Sequence, residues 1–394
     1  MRPSDRVPVP RDDRDDYSQE MARRRREFVR ERTGVGLDRL ASSTLDPSAV
    51  RGNIENLVGA AQVPVGIAGP LLVNGEHARG SFYVPLATTE GALVASYSRG
   101  MRVLCECGGA QTTIVEQAMQ RAPVFVLGDA RQAREFGVWV ESHFEPIREQ
   151  AEATTRHGKL LRIEQYQVGP LRYLRFCYTT GDAAGQNMAS KATLVACEWI
   201  MRSWTGKGTR YILSGNTDTD KKHSSINVLR SRGKRVVAEA VLRREVISRI
   251  LKTDARTLGW ARSIESTGAL LAGSASNGSH AANGLAALFI ATGQDAANVA
   301  ESHSSIAYTQ VQDDGDYYVS VTLPALIVAS HGGGTGLPTQ RECLEMMDCY
   351  GEGKAEKLAE ICAATVLAGE VSLGAAVMSG DWVAAHERLG RHRR

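Results

Sequence analysis

Residues 171–180 read LRYLRFCYTT and residues 123–128 read PVFVLG. Both runs mix β-branched and aromatic residues with partial alternation, the pattern of half-buried strands. A charged helical segment is expected between them, from Ala130 to His157, and another helix at about Asn187 to Trp204. Strands alternating with helices make residues from about Pro123 to Tyr211 a small α/β module, inserted in a larger chain.

Working outward, residues 53–85 read NIENLVGAAQVPVGIAGPLLVNGEHARGSFYVP, where Gly and Pro punctuate short apolar runs, so turns and short strands are expected. A buried helix is expected from Ala87 to Leu104, opening directly after Thr-Thr-Glu-Gly with a polar first turn. Two further helices are rich in Gly and Ala: HAANGLAALFIATGQDAANVAES from His280, and EKLAEICAATVLAGEVSLGAAVMSG from Glu356. Their small side chains permit close packing around a central element. Residues 1 to about 33 are dominated by Arg, Asp and Glu, which reads as a solvated arm with a charged helix across Tyr17 to Arg32. No repeat of solenoid period is visible.

At 394 residues the chain is long for one core, so two or more domains are expected. A net charge of +3 gives no reason to expect nucleic acid as a partner. Seven cysteines with no CxxC spacing suit neither a disulfide framework nor a metal site, and read as reduced thiols. No stretch reads as the roughly 20 apolar residues that span a bilayer, and the N-terminus lacks a signal-peptide core. A soluble, cytoplasmic protein is the expectation. GxGxxG after a strand, GxxxxGK[ST] and HExxH are all missing, so a dinucleotide, if used, is held without a Rossmann fold.

Four polar residues stand in small, apolar surroundings: Glu90 in PLATTEG, Lys221 in SGNTDTDKK, Asp295 in GQDAAN and His386 in GDWVAAHERLG. Each has a plain alternative. Glu90 could merely favour a helix N-terminus; Lys221 could belong to a solvated loop, Asp295 to a helix surface and His386 to a tail. Together with ENLVGAAQVPVGIAGPL, DAAGQNMASK, SHAAN and HGGGTG, in that order from about Asn53 to Arg388, these segments resemble the HMG-CoA (3-hydroxy-3-methylglutaryl-CoA) reductases. The SGN-to-DKK run is more similar to the class found in eukaryotes, archaea and some bacteria; the eukaryotic membrane anchor has no counterpart.

The resemblance implies an α/β (α+β) fold. A large substrate domain (53–122 and 214–394) surrounds a long central helix, a ferredoxin-like NADP domain is inserted at 123–213, and 1–52 form the arm. It implies reduction of HMG-CoA to mevalonate and CoA with two NADPH, in a homodimer or higher oligomer whose active sites lie between subunits. Lys221 matches the catalytic lysine that stabilises the oxyanion, and Asp295 the aspartate that holds it. His386 matches the acid that protonates the CoA thiolate, and Glu90 the acid that completes the alcohol. Proximity of Glu90 to Asp295 is expected to raise its pKa against the helix terminus. Asp182, Gly185, Gln186, Asn187, Met188, Gly332 and Gly333, with Gly334, match cofactor positions. Thr155 and Arg156 match the pair that meets the 2'-phosphate of NADPH. Ser214, Asp220, Lys222 and Arg121 match the acyl site, and Ser96, Arg99, Lys252, His280, Asn283, Ser372 and Leu373 match positions that meet CoA or support the histidine.

The match departs from the family in three places. Thr217-Asp218-Thr219 and His223-Ser224-Ser225 flank DKK where Tyr or Val, Cys, Thr and Pro-Ala-Ala are usual. Ala329-Ser330-His331 precede the glycines where Gly-Thr-Val is usual. A lysine that holds the HMG carboxylate has no clear equivalent near Ile264, and Arg262 is the nearest cation. The polar loop permits a related reductase acting on another acyl-CoA. A catalytically silent relative acting by binding is the remaining reading, and the retained quartet argues against it.

Overall fold

A computed structural model describes residues 7–274 and 276–379. Its strands are β1 (Val65–Gly75), β2 (Arg79–Ala87), β3 (Ala110–Arg121), β4 (Val124–Val126), β5 (Leu160–Val168), β6 (Leu171–Tyr178), β7 (Arg210–Ile212), β8 (Gly233–Leu242), β9 (Ile306–Val311) and β10 (Tyr317–Leu326). They join in the order β7-β4-β6-β3-β8-β10-β9, with β1 and β2 added beside β3 and β5 beside β6. The long strand β3 serves two neighbours. Its residues 111–118 pair antiparallel with β8, and Met119–Arg121 pair with Tyr178–Phe176 of β6.

Beyond that handover the chain runs strand, helices, β5, β6, helix, β7, and the strands lie side by side as β7-β4-β6-β5, all antiparallel. This is the ferredoxin-like βαββαβ arrangement. Helices Ala130–Ser142, Phe144–Glu152 and Gln186–Ser203 close over a core that includes Met119, Phe125, Phe136, Leu174, Phe176 and Ile200. The segment from Ala130 to His157 is thus two helices, broken at His143, whose φ of −111° and ψ of 21° leave the helical region.

The other core surrounds helix Ala355–Ser379, where Leu358, Ile361, Cys362, Val366 and Leu367 are fully buried. It packs on helix Leu93–Glu106 and on β3, β8 and β10. By length and composition Ala355–Met378 could cross a membrane, contrary to the reading of the sequence; most of it is buried, so its apolarity is that of a core helix. Alanine, glycine and two interior carboxylates disguise it. Glu360 is fully buried and accepts the amides of Glu76, His77 and Ala78 at 3.1, 2.9 and 2.6 Å, which anchors the β1–β2 turn.

Gly100 lets the two helices touch. A Cβ there would sit 1.8 Å from the carbonyl oxygen of Ala368, a backbone atom inside the helix that cannot swing aside. Gly100→Ala is expected to destabilise the protein by about 2–3 kcal/mol, from the cost of overpacking a filled core. Urea denaturation beside Gly268→Ala, an exposed helical glycine whose added Cβ would meet nothing within 4 Å, checks this; an unchanged midpoint for Gly100→Ala means the helices separate at no cost.

Two other expectations change. The helix expected from Ala87 begins at Leu93, because Ala87 ends β2 and Ala92 is left-handed, with φ of 67°. Helix Gln19–Thr33 is docked rather than solvated. Its buried Arg25 donates to the carbonyls of Pro10 and Asp16, both at 3.0 Å, and pairs with the Asp16 carboxylate; Arg26 reaches the Val58 carbonyl at 2.9 Å. The antiparallel set β8, β9 and β10 was not read from the sequence.

Candidate active site

Helix Ala281–Thr292 ends at Gly293, which is left-handed at φ 68°. The chain then turns so that Asp295 caps a short 3-10 turn, its Oδ1 accepting the Ala297 amide at 3.0 Å. That leaves Oδ2 to meet Lys221 Nζ at 2.7 Å, with side chains 42% and 43% exposed. The pair is formed and open to a ligand. The Asp295 hydrogen bond holds the Lys221 ammonium above the usual lysine range, against a smaller opposing effect of burial.

Lys221 is itself left-handed, φ 55°, in a loop where Asn216 and Thr219 also have positive φ. Such backbone persists only where neighbours hold it. Glu301 Oε1 accepts the Lys221 amide at 3.1 Å. Buried Arg232 spans the loop, donating to Glu301 at 2.8 Å and to Asp220 at 2.6 Å. Gln186 donates to Asp220 at 2.9 Å and to Asn298 at 3.0 Å, so this candidate cofactor residue ties its helix to the lysine loop. Burial pushes the Glu301 carboxyl up to about 7, opposed by Arg232. Neither Arg232 nor Glu301 was singled out in the sequence. No local signal marked either: Glu301 follows Asp295 by six residues, across two short consecutive helical turns, a spacing that by itself defines no shared face.

Gly185, Asn187, Met188, Asp295, Gly332 and Gly333 all line one cleft of about 800 Å³, a size suited to a cofactor. Gly332 and Gly333 have φ of 85° and 59°, which glycine adopts without strain and which leaves the backbone bare toward the cleft. Gly334 lies so close to Gly293 that a Cβ would meet the Gly293 carbonyl oxygen at 2.7 Å, so the glycine run also braces the Asp295 turn. His331 stands in the cleft lining, at the departure noted in the sequence. Thr155 Oγ1 accepts the amides of His157 and Gly158, and a Cβ on Gly158 would meet Met188 Sδ at 2.4 Å. The turn bearing exposed Arg156 therefore packs against the head of helix Gln186–Ser203. Asp182 is spent structurally: it accepts amides of Gly353, Lys354 and Ala355 at 2.8, 3.1 and 3.2 Å and caps the central helix.

A second hollow, of about 630 Å³, gathers Arg99, Arg102, Arg249 and Lys252. Arg99 also donates to Ser372 Oγ at 3.0 Å and to its carbonyl at 2.7 Å, and Ser96 bonds the same hydroxyl at 3.0 Å, placing Leu373 alongside. Asn283 donates to both oxygens of exposed Glu90, at 3.1 and 2.9 Å. Nearby His280 is buried on Tyr97, ring centroids 4.8 Å apart, with neither ring nitrogen hydrogen-bonded among the described residues; burial lowers it to about 4, so it is neutral.

Among the described residues Glu90 shares no hydrogen bond or ion pair with Lys221 or Asp295, and its carboxylate is held by Asn283 instead. His386 lies outside the described residues. Arg121 donates to buried Asp218 at 2.8 Å and to Ser190 at 3.0 Å. Ser214 is exposed just beyond β7, and Lys222 donates to the Asp220 carbonyl at 2.9 Å. Arg262, the nearest substitute for the missing lysine, is engaged elsewhere: it donates to the Asn277 carbonyl at 2.9 Å and to Glu370 at 3.2 Å.

A paired lysine and aspartate beside a glycine-lined cleft, next to a ferredoxin-like unit without a Rossmann fold, narrows the relatives to compare. The family model described as hydroxymethylglutaryl-coenzyme A reductase matches residues 21–391. The 3-hydroxy-3-methylglutaryl-coenzyme A reductase of Aeropyrum pernix is 46% identical over 374 residues, covering 93% of this chain and 89% of that protein. The enzyme of the same name from Methanocaldococcus jannaschii is 43% identical, covering 93% and 92%. Among solved structures, the Streptococcus pneumoniae 3-hydroxy-3-methylglutaryl-coenzyme A reductase superposes with a TM-score of 0.67 at 20% identity, covering 90% of this chain and 96% of that one. A structure of the class II enzyme from the same organism, bound to NADPH in open conformations, gives 0.66 at 20% identity, covering 92% and 99%. The alignment runs through both cores and the lysine loop, and the chain belongs to the hydroxymethylglutaryl-coenzyme A reductase family.

Proposed function

We propose that this protein reduces HMG-CoA to mevalonate and CoA with two NADPH, and that the Lys221–Asp295 pair at the mouth of the 800 Å³ cleft is its catalytic centre. That pair carries the reading. The cleft fits a dinucleotide in size and in its bare glycine backbone, with Gly185, Asn187, Met188, Gly332 and Gly333 along it and Arg156 at the packed turn beside Met188. NADPH bound there supplies hydride, twice per thioester carried to an alcohol.

The chain's own residues do the rest. Lys221 places a fixed positive charge where the acyl oxygen becomes negative, in a setting that costs no reorganisation. Asp295 aims the ammonium and keeps it protonated. Arg99 and Lys252, gathered in the basic hollow, hold phosphates of CoA. His386 protonates the departing thiolate, and Glu90, steadied by Asn283, delivers the proton that finishes the alcohol. Because Glu90 makes no bond to the pair among the described residues, the unit proposed is a homodimer in which the partner completes the site.

Consumption of two NADPH per HMG-CoA tests the reading. Arg156→Ala is expected to raise KM for NADPH about ten- to a hundredfold, the worth of a charged hydrogen bond, with little change for NADH. Equal effects on both cofactors would remove Arg156 from the 2'-phosphate. One observation favours a variant of this reading. Arg121 is tied to Asp218, a residue at a departure from the family, which suits a somewhat different acyl group. A well-folded dimer that ignores HMG-CoA but oxidises NADPH with another acyl-CoA would select it.

A further inference from the structure

The residues beneath Lys221 form a connected group that the reaction described above does not use. Glu301 is fully buried, yet it is ionisable and sits six residues beyond Asp295, in the second of two short helical turns. Its Oε1 takes the Lys221 amide at 3.1 Å, while Oε2 takes Arg232 Nε at 2.8 Å and Asn227 Nδ2 at 3.4 Å. Arg232, with no exposed side chain, also donates to Asp220 Oδ1 and to the Gln120 carbonyl, at 2.6 and 2.9 Å. Two carboxylates from adjoining short helical turns thus grip the same lysine at both ends: Asp295 by the ammonium, Glu301 by the backbone. A left-handed lysine at φ 55° leaves that conformation unless something holds it.

We infer that Glu301 is a positioning residue for the reaction: its buried carboxylate, locked by Arg232, fixes the strained backbone of Lys221 so that the ammonium stays on Asp295. This rests on the catalytic role proposed for Lys221. Glu301 itself touches neither substrate nor cofactor. Arg232 supplies the register by bonding the residues on both sides of the grip, Asp220 in the loop and Glu301 in the turn. Gln186, bonded to Asp220, connects the grip to the first turn of the helix that borders the cleft.

The test separates the grip from the buried charge. Glu301→Gln/Arg232→Met and Glu301→Met/Arg232→Met are both uncharged at this site, but only the first keeps an acceptor for the Lys221 amide. With wild-type-like melting curves for the two, the Met/Met protein is expected to show kcat about 10- to 100-fold below the Gln/Met protein, the cost of misplacing a catalytic group by about 1 Å. KM for HMG-CoA and NADPH should stay close in the two. The alkaline limb of its kcat–pH profile should also move to lower pH, because Lys221 loses its hold on Asp295. Equal kcat and coincident pH limbs overturn the inference. Amide hydrogen exchange of the wild-type homo-oligomer gives a reading that needs neither variant nor substrate: the Lys221 amide should be protected well beyond its exposed neighbours, and exchange at the rate of a free loop also overturns the inference. A protected amide in a protein that does not reduce HMG-CoA would instead reject the reaction proposed while leaving the grip intact.

Discussion

Lys221→Met is expected to lower kcat for NADPH-dependent reduction of HMG-CoA by about a hundredfold to a thousandfold or more, the range for losing one preorganised group that stabilises an oxyanion. The substitution keeps most of the stem and removes the ammonium. Stability should barely move, within about 1 kcal/mol, because the Lys221–Asp295 pair is half-exposed and water replaces much of what is lost. That combination separates a catalytic lysine from a structural one. Asp295→Asn should act in the same direction through pH. Asp295 raises the Lys221 pKa, so in the wild type the ammonium, and the rate that depends on it, persists into alkaline solution and fades as pH rises through the raised value. Without the carboxylate that fall begins at lower pH. Steady-state kinetics across pH, with denaturation curves alongside, check both. A Lys221→Met enzyme that keeps wild-type kcat removes the lysine from the chemistry and with it the present account of the site.

The pieces of this site that could be read in the sequence are those whose neighbours in the chain are also their neighbours in space. Gly185 to Met188 open a helix directly, and Gly332 and Gly333 form one turn, so their segments announced them. Strands β4 and β6 of the ferredoxin-like unit were legible for the same reason, their alternation being local, whereas β5 and β7 were not read. What stayed hidden depends on contacts across long stretches of chain. Arg232 and Glu301 look like ordinary surface charges in the text, and only the pairing of β8 with β3 and the turn after Gly293 bring them under Lys221. In β8 the burial alternates, but valines on the outer face (Val237, Val241) and a buried Lys234 hide the two-residue period in the text, and β10 is buried on both faces over much of its length. Arg25 shows the converse error. Its neighbours are charged, which suggested a solvated arm, whereas four acceptors, the carbonyls of Pro10, Asp16 and Leu57 and the Asp16 carboxylate, make a pocket for it. Polar composition reports hydration only where no fold supplies partners.

The departures near the lysine also find partners. Asp218, where the family usually has Cys, is the buried counter-charge of Arg121; His223, where Pro is usual, bonds Ser304 at 2.6 Å and lies 5.6 Å from the His303 ring. Burial and His303 hold His223 below the usual histidine range. The loop is therefore not merely a more polar version of the family's loop but one rebuilt around its own hydrogen bonds.

The largest stability loss is expected at Glu370. This carboxylate lies inside the central helix, almost wholly buried, and accepts the amides of Ser279 and His280 at 2.7 and 2.6 Å while Arg262 donates to it at 3.2 Å. Glu370→Leu leaves Arg262, among the described residues, with only Glu265 at 3.6 Å as a counter-charge and strands two amides at the head of helix Ala281–Thr292. Removing one member of a buried charge pair typically costs about 3–5 kcal/mol. Glu370→Gln should cost less, since its carbonyl still accepts the two amides and only the approach of Arg262 becomes unfavourable. The order Leu worse than Gln is the diagnostic part, measured by urea denaturation. Activity should follow, because the same helix head carries His280 and the Asn283 that steadies Glu90. Equal losses for both substitutions would assign the stabilisation to the Arg262 ion pair alone, and the backbone grip on the helix head would then have no part in holding Glu90.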